Sequence, residues 1–313
     1  MKILALMGGR PGSSSEAMAK LVLEGAREAG AEELTAVRLL DLNIGPCTGC
    51  NACVDGLLQG TGDGMCVRRD DYQWLAEQIL DSDGIVVSLP IFEKTVPGYF
   101  KDLCDRSGPG MDAALRMAAK KIREAKGMPG GPDERTWKRR AVSFIAHGGS
   151  DWNQTMMPVM MHFAIPLNLE IVDQQLIPWD RRKLLDEGVA EGLRRSGRHL
   201  CRSLRELPEH MEYIGMPGLC PACHNSVFRL GATASEVSCG LCGITGTLHI
   251  GPDGALRVDF SEEELAVSQI HMGGKRKHLE DMRNIGAVPP AVTEQIRAAK
   301  ARFCALFPNI RPE

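Results

Sequence analysis

The chain reads as an α/β protein. Its core is an open, doubly wound parallel sheet of five strands, followed by a small cysteine-bearing β module and terminal helices. Three observations lead there. Apolar runs of strand length alternate with amphipathic helical segments over the first two-thirds of the 313 residues, the rhythm of a parallel sheet covered on both faces. Loops rich in glycine, serine and proline follow the first, third and fourth of those runs, and such sheets bind ligands at the carboxyl ends of their strands. Eight of the eleven cysteines fall into two groups of four, a pattern of metal or redox use rather than of disulfide pairing.

Taken in order, residues 2–7 form a buried strand, too soon broken by Gly8 and Gly9 to be a signal peptide. Residues 13–27 follow as a helix with Ala17, Leu21, Val22 and Ala26 on one face. A second strand covers 34–40. A helix over 70–80 is marked at its start by Asp70 and Asp71, and 84–88 is a third strand. Residues 97–106 form a helix with Pro97 near its first turn. Strands at 141–146 and 169–172 complete the sheet, with a helix at 154–163 between them and a long closing helix at 182–207. Residues 107–140 break this rhythm. A basic amphipathic stretch, 112–126, precedes a run of breakers at 127–132, so the segment reads as an insertion: a solvated excursion, or else a cap over the active site or a subunit contact. Cys104, Cys201 and Cys304 stand outside the two groups and read as buried small hydrophobes.

The net charge of −3 gives no reason to expect nucleic-acid binding. No segment approaches the roughly 20 apolar residues of a membrane span. A cytoplasmic protein without membrane partners is expected.

The loop after the first strand is Gly8-Gly9-Arg10-Pro11-Gly12-Ser13-Ser14-Ser15-Glu16. Glycines let the backbone approach an anion, serines add hydroxyl donors, and the helix that follows offers free N–H groups. Gly9, Arg10, Ser13, Ser14 and Ser15 are therefore candidate phosphate ligands. The loop fits neither the nucleotide-hydrolase nor the dinucleotide glycine pattern; the plain alternative is a serine-capped helix behind a glycine turn. After the second strand come Cys47, Cys50 and Cys53, at two-residue spacing, and Cys66 beyond a further twelve residues that include Gly56, Gly60, Gly62 and Gly64. Iron–sulfur clusters use such triplets; structural thiols and a reactive thiol group are the alternatives. Farther on, Cys220, Cys223, Cys239 and Cys242 form two C-x2-C knuckles fifteen residues apart. That is a zinc-ribbon spacing, although the same four sulfurs can hold a single iron. Short strands are expected at 227–230 and 237, then a hairpin from 246–250 and 256–260.

Residues 83–101, with Pro90, Ile91, Phe92, Glu93, Lys94 and Thr95 between a buried strand and the second proline, Pro97, closely resemble a signature of the NAD(P)H-dependent flavin mononucleotide (FMN) reductases, a flavodoxin-like family. The resemblance covers residues 1–207. It implies that this loop wraps the flavin ring and that the serine loop holds the FMN phosphate. Gly9-Arg10-Pro11 replaces the family's usual Gly-Ser-Pro-Arg, and Phe92 stands where many members have tyrosine. The loop carrying His147, Gly148 and Gly149 resembles the family's third flavin loop. It would set His147 near the pyrimidine edge, as a hydrogen-bond partner or proton donor, unless His147 is simply a polar loop residue. Iron–sulfur flavoproteins of the same superfamily carry a cysteine motif at the position of Cys47–Cys66, which implies a [4Fe–4S] cluster on Cys47, Cys50, Cys53 and Cys66. Related proteins assemble as dimers or tetramers, so a homodimer or homotetramer is expected.

The expected organisation is thus a flavodoxin-like FMN domain at 1–207, a zinc-ribbon-like module at 208–260 and a helical tail at 261–313. The tail opens with a capping-box pattern at Ser261 and Glu264, expected to start a helix over 261–270, and ends in a helix at 290–306. Lys275-Arg276-Lys277 reads as a solvated face or a phosphate clamp. No side chain stands out as an obligatory acid or base. Three functions compete: an FMN oxidoreductase passing electrons from NAD(P)H or ferredoxin through a cluster to a small-molecule or protein acceptor; a cluster-free NAD(P)H-dependent quinone or flavin reductase; and a non-catalytic redox sensor or docking protein.

Overall fold

A computed structural model describes residues 1–149, 151, 153–178, 180, 182–206, 211–233, 235–284 and 288–306. Its main sheet is made of β1 (Lys2–Met7), β2 (Glu33–Arg38), β3 (Gly84–Pro90), β4 (Arg140–His147) and β5 (Leu169–Ile177). All neighbours pair in parallel, in the order β2-β1-β3-β4-β5. Strand alternation sorts the core. Leu4, Leu6, Ile85, Val87, Val142 and Phe144 feed one apolar cluster, while Ile3, Ala5, Val86, Ala141 and Ile145 feed the other. Side chains alternate across a strand, so continuous apolar runs supply both faces.

The helices of this part are α1 (Ser14–Glu28), α2 (Ala52–Gln59), α3 (Tyr72–Asp81), α4 (Gly98–Met111), α5 (Ala113–Ala125), α6 (Met156–Met161), α7 (Ala164–Leu167) and α8 (Glu187–Ser203). α1 and α8 cover one face. They approach backbone to backbone at Gly25 and Gly197, where an added Cβ would lie 1.9 Å from the carbonyl oxygens of Arg194 and Val22. The closing helix starts later than the expected 182, because the Asp186 side chain accepts from Gly188 N–H and Val189 N–H and caps it there. Leu207 lies outside the described residues. α2 was not foreseen; its one legible signal is Gly60, which closes it in the left-handed conformation at φ 80°. α4 runs five residues past the expected 106 and carries Pro109 within it.

The 107–140 segment is neither a solvated excursion nor a cap over the cavity described below. α5 buries Ala113, Ala114, Leu115 and Ala119, and two of its basic residues, Arg116 and Arg123, turn inward. Arg116 is 1% exposed; it donates to Gly110 O at 2.6 Å, Thr136 Oγ1 at 2.7 Å and Met65 Sδ at 3.7 Å. Arg123 donates to Gly62 O at 3.0 Å. The insertion thus backs the long gap between Cys53 and Cys66. A hydrophobic-moment argument misses this, because Arg heads can satisfy backbone carbonyls inside while their stems pack.

Beyond the sheet, β6 (Phe228–Leu230), β7 (Glu236–Cys239), β8 (Thr245–Ile250) and β9 (Leu256–Asp259) form an antiparallel sheet in that order. This module is fused to the parallel one. Ile214 N–H donates to Val172 O at 3.0 Å and Met216 N–H to Gln174 O at 2.9 Å, so the linker pairs along the open edge of β5. Cys220, Cys223, Leu241 and Ile244 share an apolar cluster with Phe163, Leu167 and Ile171.

The expected 261–270 helix shrinks to α9 (Glu262–Ala266), capped by Ser261. It is followed by α10 (Met272–Asn284) and α11 (Pro290–Cys304). The chain divides into two compact units, Met1–Arg276 and Lys277–Glu313. Two tail readings change. Lys275 is not solvated: it is 3% exposed, donates to Gln269 O and Ile270 O at 2.8 and 2.9 Å, and burial pushes its ammonium down to about 8. Cys304 is exposed rather than buried, whereas Cys201 is buried and Cys104 is partly buried against the core. Among the described residues no helix is long and apolar enough to cross a membrane.

Candidate functional site

The loops after β1, β3 and β4 converge on one cavity of about 950 Å³. Arg10, Ser13, Ser14 and Ser15 line it from the first loop, Pro90, Ile91 and Phe92 from the second, and His147, Gly148 and Gly149 from the third. Gly12, not nominated from sequence, lines it as well. Gly9, Glu93, Lys94 and Thr95 do not, although all four were candidates. Ser150 and Trp152 of the third loop lie outside the described residues.

The first loop is held from below. Gly9 sits so close under Ser13 that a Cβ there would be 2.0 Å from Ser13 Oγ. The Ser13 side chain accepts from Glu16 N–H at 3.3 Å and caps α1. Ser88 Oγ donates to Ser15 O at 2.8 Å, and the Tyr99 hydroxyl donates to Gly8 O. Ser14 and Ser15 occupy the first helical positions, whose N–H groups have no carbonyl one turn earlier in the helix. The result is a cluster of amide and hydroxyl donors beside the exposed Arg10, at the positive end of a helix.

The second loop makes a tight reversal. Phe92 and Thr95 exchange backbone hydrogen bonds of 3.0 Å in both directions. The two central residues, Glu93 and Lys94, have φ of 44° and 71°, a left-handed pair that costs non-glycine residues roughly 1–2 kcal/mol each. Thr155 Oγ1 braces the turn by donating to Lys94 O at 3.1 Å. Glu93, Lys94 and Thr95 are thus spent on the turn that presents Phe92, which stays 52% exposed at the cavity. The turn was invisible in sequence because it lacks the expected Asn-Gly or Asp-Gly.

His147, 8% exposed, ends β4. Its Nδ1 lies 3.2 Å from Ile177 O, so that nitrogen carries the proton and donates. Burial pushes the ring's pKa down, leaving a neutral imidazole whose Nε2 is an acceptor.

The two cysteine groups differ sharply. Cys220 Sγ lies 3.6 Å from Cys242 Sγ, and Cys223 Sγ 3.5 Å from Cys239 Sγ, too far for disulfides near 2.05 Å. All four sulfurs lie within 4.8 Å of one another and are buried. A tetrahedron of thiolates around one ion at about 2.3 Å requires spacings of this kind, so the residues fit a single zinc or iron. Hydrogen bonds among the four sulfurs, together with burial, push the Cys220 and Cys223 thiols up and the Cys239 and Cys242 thiols down. Asn225 Nδ2 donates to Cys239 Sγ at 3.5 Å.

In the first group Cys47 and Cys50 are exposed, and Cys53 and Cys66 are half-buried. Burial, aided by the nearby Cys66 and Cys50, pushes the Cys53 thiol up, whereas Ala52 N–H and the Thr48 hydroxyl pull Cys50 down. These sulfurs are not gathered as tightly as the other four; among the described residues only the later group has every ligand atom within 4.8 Å. A cubane spreads its thiolates over separate iron corners and does not need such crowding. The loop's ends are stapled by Arg106, which reaches Asp70 Oδ2 at 2.5 Å, Gly45 O at 3.3 Å and Arg68 O at 3.3 Å, and lies beside Cys66. Gln73 Nε2 adds a 2.7 Å bond to Cys66 O.

The strand order and the cavity at its switch point define a flavodoxin-like flavoprotein. The chain belongs to the NADPH-dependent FMN reductase family, which it matches over residues 1–169, and is a flavin-dependent oxidoreductase. It is similar over 100% of both chains to a solved flavone reductase, at 30% identity and a TM-score of 0.82. It is 29% identical over 296 residues to flavone synthase cfoJ of Aspergillus candidus, covering 90% of this chain and 88% of that one. An iron–sulfur flavoprotein of Methanosarcina thermophila is 34% identical over 108 residues, which is 34% of this chain and about half, 52%, of that relative.

Proposed function

We propose that the chain is an FMN-dependent oxidoreductase that adds a hydride and a proton across the carbonyl-conjugated C–C bond of a flat substrate of the flavone type. Reduced nicotinamide is the proposed donor. The observation that carries this reading is the single cavity that joins anion donors, Arg10 and Ser13–Ser15, to an exposed aromatic ring, Phe92. Full-length similarity to proteins named for flavones in both reaction directions supports it.

The residues present fit FMN. Hydroxyls, amides and one guanidinium suit a phosphate. Pro90, Ile91, Gly148 and Gly149 offer a wall poor in side-chain polar groups, and the neutral His147 offers an acceptor for a ring N–H. When bound, FMN supplies the hydride chemistry. Phe92 would stack on a flat substrate and exclude water from its face.

Protein loaded with FMN and given NADPH and flavone without oxygen is expected to form flavanone, two hydrogens heavier, read by mass spectrometry. Loaded protein that reduces quinones but leaves both flavone and flavanone untouched would remove the substrate assignment and favour the plain reductase.

A second reading adds a [4Fe–4S] cluster on Cys47, Cys50, Cys53 and Cys66. The neighbouring Cys50, Cys53 and Cys66, with the Arg106 cation beside Cys66, favour it, as does local similarity to iron–sulfur flavoproteins. Anaerobically purified protein is then expected to carry about four iron and four sulfide per chain beyond the ribbon metal. Sulfide near zero would reject the cluster and leave these cysteines as loop thiols.

A further inference from the structure

Glu16 stands in the first turn of α1, directly after the serines. In a usual capping box the third helical residue would reach back to the cap's own N–H. Here Glu16 reaches one residue further: its Oε2 accepts from Gly12 N–H at 2.9 Å, while Ser13 N–H donates to Arg10 O at 3.1 Å. Gly12 has φ 71° and lines the cavity, so the carboxylate fixes the left-handed corner from which the three serines fan out. That geometry carries a penalty, since a negative charge now sits in the loop built for an anion. The sheet supplies the remedy. Arg38, the last residue of β2, donates to the same Oε2 at 3.0 Å and to Asp41 at 2.7 Å. Lys20 donates to Oε1 at 2.6 Å. The Lys20 side chain is 58% exposed, whereas that of Arg38 is 18% exposed. Lys20, Gly12 N–H and Arg38 together hold the Glu16 carboxyl down to about 2.

We propose that Arg38 is a positioning residue for phosphate recognition: it neutralises and orients Glu16, so that Glu16 can shape the loop at Gly12 without repelling the cofactor's phosphate. This rests on the FMN reading above. It extends that site to a strand end which makes no contact with the cavity, and it ties the phosphate loop through Asp41 to the segment that enters the cysteine loop.

FMN and riboflavin, which differ by the phosphate alone, test it. Both are titrated by fluorescence against wild type, Arg38→Met, Glu16→Gln and the double variant, with thermal melts as a folding control. Wild type is expected to prefer FMN. Arg38→Met is expected to weaken FMN about tenfold or more, or 1.4 kcal/mol, and to leave riboflavin unchanged. Glu16→Gln keeps an oxygen for Gly12 N–H, so the double variant is expected to regain FMN affinity. Equal loss of both ligands, an unchanged FMN affinity in Arg38→Met, or no recovery in the double variant overturns the proposal. A wild type that binds both ligands equally overturns it while leaving the flavin site standing. A wild type that binds neither overturns the flavin reading itself.

Discussion

Replacing Cys239 by alanine is expected to unfold the antiparallel module and to loosen the outer edge of the parallel sheet with it. The thiol is 3% exposed, 3.5 Å from Cys223 Sγ, at the end of β7. Four converging thiolates with no metal repel one another or must hold protons in a dry site; with a metal, binding and folding are one equilibrium, on the order of 10 kcal/mol for structural zinc. Loss of one ligand leaves three thiolates and a void. The damage will not stay local, because Cys220, Cys223 and Leu241 belong to the cluster that includes Phe163 and Ile171, and Met216 and Ile214 pair with β5. A strong chelator should act in the same direction. The checks are metal content by mass spectrometry and a melting curve followed by both far-UV circular dichroism and flavin fluorescence. A variant that loses the metal but melts like wild type would show that the module's packing, not the ion, holds it.

Arg106→Leu is expected to be the other costly change, at about 3–5 kcal/mol, the usual range for orphaning one member of a buried ion pair. The Arg106 side chain is fully buried and Asp70 nearly so. It also lies 4.4 Å over the Tyr72 ring and donates from Nη1 to Gly45 O and from Nη2 to Arg68 O. Lysine will not substitute, because one ammonium cannot serve carboxylate and two carbonyls in the guanidinium's planar fork. The pH dependence separates this from simple loss of packing. Burial by itself would raise Asp70; Arg106, Tyr72 N–H and Gly45 N–H outweigh it and hold the carboxyl below its ordinary value. In wild type that contribution is full above the unfolded value near 3.9 and is lost as pH falls through the lower folded value. In Arg106→Leu the sign reverses: the unpaired buried carboxyl rises above its unfolded value, so the variant gains stability as the solution is acidified. Denaturant midpoints between pH 3 and 7 read both slopes, and labelling of Cys53 and Cys66 should quicken as the stapled loop opens. Parallel slopes in the two proteins would remove the ion-pair account.

Much of the architecture was legible. Uninterrupted apolar runs of β-branched and small residues, such as Ile85-Val86-Val87, alternating with amphipathic helices read as doubly covered parallel strands, and the glycine and serine content of the first loop allowed two readings, an anion cradle or a serine-capped helix behind a glycine turn. The cysteine knuckles at 220–223 and 239–242 announce their geometry through spacing alone, because a C-x2-C turn presents two sulfurs to one point. What was hidden depended on side chains turning against their type. Arg116, Arg123 and Lys275 are basic residues spent on buried carbonyls, so a charge pattern read as surface became the backing of the cysteine loop and of the tail. Glu93 and Lys94 adopt left-handed conformations that no turn propensity would assign to them.

The amino-acid order alone therefore determines the sheet, its ligand-binding edge and the ribbon's four ligands, because periodicity and short-range spacing are local and survive without knowledge of neighbours. The tertiary structure alone decides that the ribbon's linker completes the edge of β5, that an insertion buttresses Cys53 to Cys66, and that Arg38 reaches Glu16 across the end of the sheet. Those contacts join residues far apart in the chain. Their partners are chosen by how the layers pack, and no local pattern encodes that choice.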